Sequence, residues 1–153
     1  MLIPIWQKLI GVLIYMLPWS DAIPFGRYIL MDFPSLQWLA VPAMPIILIE
    51  QGMPLGNLLL FFVLFLAVAR NPKVPYFLRF NTLQALLLDI TVILISYAFK
   101  VFIQPLGTGL IVSTLSSTVL IAILAIVIFA LVECLQGKEP DLPGISEAVR
   151  MQL

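Results

Sequence analysis

Few residues of this chain could do chemistry. The 153 residues include no histidine, so the commonest metal ligand and physiological acid–base group is missing. The single cysteine, Cys134, has no second thiol to complete a disulfide or a metal site. Asp89 and Glu133 are the only carboxylates within strongly apolar stretches, and the serines of residues 113–117 have no base beside them. We therefore expect no enzyme activity, no metal and no cofactor.

Asp89 is the polar residue that most needs a reason. A helix that enters a membrane near Asn81 would carry Asp89 about 12 Å deep at ~1.5 Å per residue, where a charge costs about 2.5–3.5 kcal/mol even on lenient scales. Such a face would line a hydrated path, hold a partner, or hydrogen-bond to hydroxyls of the last apolar stretch, and we favour the hydrogen bond. Residues 82, 85, 89, 96 and 100 share one side of the predicted helix. The candidate polar residues on or near this face are Arg79, Asn81, Gln84, Asp89, Ser96 and Lys100.

Composition requires that the elements holding these residues lie in lipid. Apolar residues form 62% of the chain and charged residues 10%, with a mean hydropathy of +1.12. Soluble domains are nearer 45–50% apolar and about 25% charged. The net charge of zero implies no nucleic-acid partner. The first residues lack a basic region, so we expect no cleavable signal or transit peptide.

Turn-forming residues divide the chain into apolar stretches. The pattern predicts an all-α integral membrane bundle of four transmembrane helices with an N-terminal interfacial (or short spanning) helix over residues 3–17. The apolar stripe of that first helix would lie opposite its polar residues, and residues 22–36 would form a loop. The predicted spans are 36–49 (kinked by prolines), 54–69, 82–104 and 113–136. The domains are therefore 1–35 (interfacial helix and loop), 36–137 (membrane domain) and 138–153 (polar tail without continued helix).

Basic residues orient the bundle. The loop that contains Arg70, Lys73 and Arg79 carries no acid, whereas the loop over residues 105–109 carries no charge. The positive-inside rule therefore puts this basic loop and both termini on the side of synthesis, together with Arg27. These cations would anchor helix ends at anionic headgroups, with a soluble partner as the alternative.

Small residues recur along the last span at spacings of four, four and three. Such a stripe lets another helix approach closely. We favour packing inside the bundle over contact with another copy of the chain. The residues of this small-residue stripe are Thr114, Thr118, Ala122 and Ala125.

The stretch from Arg79 to Ile90, RFNTLQALLLDI, carries a resemblance to a known family. It is similar to the signature of the twenty-kilodalton subunit of the chloroplast inner-envelope protein-import translocon (TIC) and its cyanobacterial relatives. Residues 26–28, 70–72 and 144–152 also resemble that family. The resemblance implies a four-helix protein, both termini stromal or cytoplasmic, that helps move preproteins across the inner envelope. It offers no catalytic residues.

The resemblance leaves the function with alternatives. The absence of a transit peptide suggests a cyanobacterial or plastid-encoded form, in the plastid inner envelope or a cyanobacterial plasma or thylakoid membrane. The first hypothesis is a protein-translocation subunit or channel component. The alternatives are a structural or assembly subunit of a photosynthetic or respiratory complex and a small-solute transporter. Expected partners are membrane lipid, other membrane-protein subunits, preproteins and further copies of the chain.

Overall fold

The computed structural model describes residues 3–107, 109–142 and 144–153, and its regular elements are all helical. Residues 1 and 2 of the predicted segment 1–35 and residue 143 of the predicted tail therefore lie outside the described residues. Helices Ile5–Asp32, Tyr76–Leu106 and Leu110–Leu135 are long and apolar enough to cross a membrane, and Leu58–Ala69 is a shorter apolar helix. These elements confirm an all-α membrane bundle.

The first long helix is built in three parts. Helix α1 (Ile5–Ala22) continues through a 3-10 turn at Ile23–Gly26 into α2 (Arg27–Asp32). Its 28 residues rise about 42 Å at ~1.5 Å each, more than a bilayer core requires. The structure therefore favours the spanning alternative for the N-terminal segment, and the stretch expected as a loop over residues 22–36 is helical as far as Asp32.

Helix α1 turns part of its apolar surface outward and its polar side chains inward. Ile5, Leu9 and Leu13 are 52–73% exposed, whereas Gln7 and Tyr15 are buried. In lipid the surrounding tails are as apolar as leucine, so an apolar stripe gains nothing by turning inward. Polar side chains instead gain hydrogen bonds inside the bundle. This is the arrangement of a span rather than of a helix lying on the membrane surface.

The segment expected as a kinked span over residues 36–49 is broken into two short helices. A 3-10 helix (Pro34–Ala43) leads into α3 (Met44–Gln51), and neither is among the helices long enough to cross. Pro42 and Pro45 remove backbone donors, which disfavours one continuous helix. The tight turn that follows brings the Glu50 carbonyl oxygen so close to Gly56 that a Cβ there would clash. Helix α4 (Gly56–Leu64) then ends in a π-helical turn, Phe65–Ala69.

The core forms where α1 packs beside α5 (Tyr76–Ala98), which continues through short π and 3-10 turns to Leu106. Near one end of the pair, the Tyr15 hydroxyl meets the Asn81 side chain at 2.9 Å. Towards the other end, the rings of Phe25 and Phe99 pack edge to face with centroids 5.4 Å apart. Both contacts advance in the same direction along the chain, so α1 and α5 run parallel.

The last long helix, α6 (Leu110–Leu135), runs antiparallel to α1. The Cys134 thiol lies 3.8 Å from the carbonyl oxygen of Lys8, and the Ser116 hydroxyl donates to the carbonyl of Phe25 at 2.8 Å. A Cβ at Gly11 would lie 2.6 Å from the Cys134 sulfur, so this glycine allows the close approach of the two helices.

Two loops mark the two ends of this bundle. The basic loop precedes α5, and the tail and the start of α1 lie at that same end, where Ile3 packs beside Gly137. Residues 105–107 and 109 lie at the other end of α5, and residue 108 of the predicted loop lies outside the described residues. Arg27 also lies there, because it lines a cavity with Lys100 and Gln104. The expectation that Arg27 shares the end of the basic loop is wrong, since the helix expected to stop before it continues past it.

Candidate functional site

The polar face of α5 meets other helices in three successive groups of side chains. The first is an amide cluster near the basic loop, in which Tyr15, Asn81 and Gln84 are completely buried. The Tyr15 hydroxyl donates to Asn81 Oδ1 at 2.9 Å and accepts from Gln84 Nε2 at 3.0 Å. Asn81 Nδ2 donates to the Phe77 carbonyl at 2.8 Å. Each of these side chains thus has a partner in a site that excludes solvent.

The amide cluster also holds the tail. Gln84 Nε2 donates to the Pro140 carbonyl at 3.0 Å, and the Ser146 hydroxyl hydrogen-bonds to the Gln84 side-chain oxygen. Ser146 Oγ accepts from the Leu142 backbone N–H at 2.7 Å. Ser146 belongs to a short helix, α7 (Ile145–Gln152), whose Val149 is fully buried. The tail, expected to lack continued helix, therefore resumes a helix after Gly144 and docks on α5.

The second group is a pair of carboxyl groups. Asp89 is 2% exposed, and its carboxyl group lies within hydrogen-bonding reach of Asp21 on α1. Glu50 on α3 lies close enough to interact electrostatically with both. One oxygen of Asp89 has no hydrogen-bond partner among the described residues. Two carboxyl groups can hydrogen-bond to each other only when one of them carries a proton.

The prediction that Asp89 hydrogen-bonds to a hydroxyl group of the last span is wrong. Hydroxyl groups of α6 are used elsewhere: Ser116 donates to the Phe25 carbonyl, and Thr118 donates to the Thr114 carbonyl one turn earlier at 2.7 Å. The partner comes from the first helix because that is the helix packed along this side of α5. No group of three or more potential metal ligands occurs among the described residues.

The third group lines a crevice between the first long helix and α5. A cavity of about 350 Å³ between α4 and α5 includes Asp89, and a neighbouring one of about 180 Å³ between the first long helix and α5 includes Asp21, Ser96 and Lys100. A third, of about 120 Å³, shares Ser96 and Lys100 with the second and adds Arg27 at the end of the bundle. Ser96 and Lys100 thus line the same polar crevice and lie apart from the amide cluster.

The basic loop lies against the tail. Arg70 makes two long hydrogen bonds, of 3.4 and 3.5 Å, to oxygens of Gln152. Arg79 Nε donates to the Ala69 carbonyl at 3.2 Å, joining the two helix ends that flank the loop. Lys73 is exposed. Arg79 therefore belongs to the loop contacts and not to the amide cluster, although Asn81 follows two residues later.

The small-residue stripe of α6 faces outward. All four members, Thr114, Thr118, Ala122 and Ala125, are exposed, and the residues of α6 that pack inside the chain lie on the other side of the helix. Packing of the stripe inside this bundle, the favoured interpretation, is therefore wrong. Contact with another chain stays a prediction.

Sequence reasoning missed three partners of the polar face: Tyr15, Asp21 and Ser146. Tyr15 lies on the polar side of the predicted interfacial helix, and Asp21 lies beyond the end of that prediction at residue 17. Ser146 lies within the resemblance over residues 144–152. The spacing of Gln7, Gly11 and Tyr15, four residues apart, is the available signal for an inward-facing side of α1.

Comparison with known proteins identifies the family. A family model described as "Chloroplast import apparatus Tic20-like" matches residues 4–149. A Tic20 family protein of Synechocystis sp. is 35% identical over 148 residues, covering 96% of this chain and 92% of the relative. Protein TIC 20-v of Arabidopsis thaliana, a chloroplast protein, is 33% identical, covering 96% and 71%. Ycf60 of Porphyra purpurea is 28% identical, covering 95% and 75%. This chain belongs to the Tic20 family.

Proposed function

We propose that this chain is a non-enzymatic integral membrane subunit of a protein-translocation complex that imports preproteins. The observation that carries the proposal is the family match over residues 4–149, because the description of that family names the chloroplast import apparatus. The packing agrees with a role in assembly, because the polar groups of α5 bond within this chain. The residues on its outer surface, which are apolar or small, are left for contact with lipid or other subunits.

The proposal extends to a conduit formed between chains rather than within one. An extended preprotein exposes backbone polar groups that cannot face lipid, so it needs a hydrated, protein-lined space. The largest cavity described above has about 350 Å³ and is lined mostly by apolar residues. The fully buried Leu86, Leu120 and Val127 fill the interior where α1, α5 and α6 meet. A channel would therefore be built with other copies or other subunits.

The surface for such a neighbour is the small-residue stripe of α6. Residues this small allow another helix to approach closely, and in lipid close packing is a main source of helix association. The stripe occupies the side of α6 opposite its buried Ser116, Ile123 and Val127. We propose that this side contacts a second copy of the chain or another translocon subunit.

The proposed location is the plastid inner envelope or a cyanobacterial plasma or thylakoid membrane, with both termini stromal or cytoplasmic. Support comes from the relatives, which are chloroplast or cyanobacterial proteins, and from the basic loop. Arg70 and Arg79 share one end of the bundle with the tail, which is the end that the positive-inside rule assigns to the side of synthesis.

Purification in mild detergent with identification of copurifying proteins tests the assignment. We expect translocation components and arrested preproteins. Stoichiometric recovery with one photosynthetic or respiratory complex would instead support the structural or assembly alternative. A photo-crosslinker at Ala122 should capture a neighbouring subunit, whereas one at Leu13, an exposed position on α1, serves as the matched lipid-facing control.

Reconstitution tests whether a single chain can form the conduit. Liposomes that hold one copy each, verified by photobleaching counts, should show no polypeptide-sized conductance. Large conductance from verified monomers would contradict the argument that the conduit needs several chains. Uptake of small solutes by the same vesicles would point to the transporter alternative.

A further inference from the structure

Two cations lie at the end of the bundle where the positive-inside pattern predicts fewest. Arg27 begins α2 and Lys100 follows α5, and both line the same cavity of about 120 Å³ opposite the basic loop. Basic residues are depleted on the far side of a membrane unless something retains them. Their shared cavity indicates that they act together.

Neither cation is neutralised within the described part of the chain. The one ion pair there joins Arg150 to Asp141 in the tail. Lys100 Nζ lies 5.5 Å from the centre of the Tyr97 ring, a cation–π contact that leaves its hydrogen-bond donors available. No carboxylate lines the Arg27–Lys100 cavity. Asp21, which shares the adjoining cavity with Lys100, lies deeper along the crevice.

The other walls of the cavity match an amphipathic ligand. Tyr28, Ser96 and Gln104 add polar groups beside the two cations, and aromatic and aliphatic residues complete the lining. Phe25, Phe99 and Val112 supply its apolar lining, and the Tyr97 ring beside Lys100 is exposed. A free anion would contact only the polar groups. A lipid would contact the polar groups and the apolar residues, with its headgroup between the cations and its acyl chains along the exposed apolar surface.

We propose that Arg27 and Lys100 form a binding site for the phosphodiester headgroup of an anionic membrane lipid. Guanidinium and ammonium groups are the two side chains that bind phosphate oxygens best, arginine through paired donors and lysine as a point charge. The site holds α2 and the end of α5 to the membrane surface at the end that the tail does not reach. It stands independently of the proposed role in translocation.

Native mass spectrometry of the chain released from nanodiscs tests this site. We expect retention of phosphatidylglycerol over phosphatidylcholine. Arg27→Gln and Lys100→Gln should each weaken phosphatidylglycerol retention about fivefold, and the double variant more. Lys100→Arg keeps the charge and should retain the lipid. Arg150→Gln, whose cation is paired with Asp141 in the tail at the opposite end of the bundle, is the matched control and should leave phosphatidylglycerol retention unchanged.

Two results of this experiment would overturn the proposal, and a third would assign the cavity to another ligand. Equal retention of the two lipids by the wild-type chain, or undiminished phosphatidylglycerol binding by the double variant, would overturn the proposal. Inorganic phosphate that displaces the lipid and remains bound in its place would assign the cavity to a free anion instead. Both cations are exposed, so unchanged thermal unfolding of the variants in phosphatidylcholine nanodiscs would show that lost retention reflects the site and not misfolding.

Discussion

Replacement of Gln84 by leucine should release the tail from the bundle. Gln84 is completely buried and makes three hydrogen bonds, of which those to Pro140 and Ser146 hold the tail. A neutral hydrogen bond contributes about 1 kcal/mol net. Gln84→Leu, similar in volume, should therefore favour opening of the tail by about 2 kcal/mol, or about thirtyfold in the opening equilibrium.

Hydrogen exchange over residues 144–153 measures this release. Helix α7 has eight residues, and helices this short are not stable alone in water, so a released tail should lose its helical protection. Exchange there should accelerate about thirtyfold in Gln84→Leu, while the centre of α6 stays protected. Gln136→Leu, an exposed glutamine at the same end of the bundle, is the matched control.

The reasoning would be refuted by exchange in Gln84→Leu that matches wild type and Gln136→Leu. The burial of Val149 and the stacking of Arg150 over Phe80, 5.3 Å from the ring centre, would then suffice to hold the tail. Ser146→Ala separates the polar from the apolar contribution, because it removes the hydrogen bonds of this hydroxyl to Gln84, Pro140 and Leu142 and leaves the apolar contacts in place.

Three further predictions follow from the same packing. Asp89→Asn should keep a hydrogen bond to α1 and assemble normally, whereas Asp89→Leu should lower the unfolding temperature in detergent; equal behaviour of the two variants would make the carboxyl pair irrelevant to stability. Gly11→Ala should destabilise by about 1–3 kcal/mol through overpacking against Cys134, measured by denaturant unfolding, and Cys134→Ala should relieve most of that cost; a penalty that persists would place the strain elsewhere. In the Cys134→Ala background, cysteines at Leu106 and Asp141 should be labelled from opposite sides of the membrane, and labelling from one side would contradict the topology.

The lipid environment, the helical class and the family could be predicted from the sequence. The mean hydropathy of the chain is too high for a surface that faces water, and this follows from the composition whatever the fold. The long apolar run of α6 and the charged start of α5 likewise carry local signals of length and polarity. The high cost of polar groups in lipid also made Gln84 and Asp89 worth attention before their contacts were known.

Which side of each helix faces inward could not be predicted by the same means. In water an apolar stripe marks the core, but lipid is as apolar as a core, so Leu9 and Leu13 of α1 face outward while Tyr15 faces in. The later members of the same stripe, Ile14 and Leu17, are buried. The same reason explains the small-residue stripe of α6, which local spacing could assign either to the bundle or to a neighbour. Only the packing of the whole chain decides between these sides.

The partners of the polar residues were also decided by tertiary structure alone. Sequence determined that Asp89 and Gln84 need partners, because an unsatisfied polar group in lipid is costly. It could not determine that these partners are Asp21, 68 positions earlier, and Ser146, 62 positions later. Periodicity reports only neighbours within a few turns, whereas these contacts depend on α1 running parallel to α5 and on the tail folding back over it.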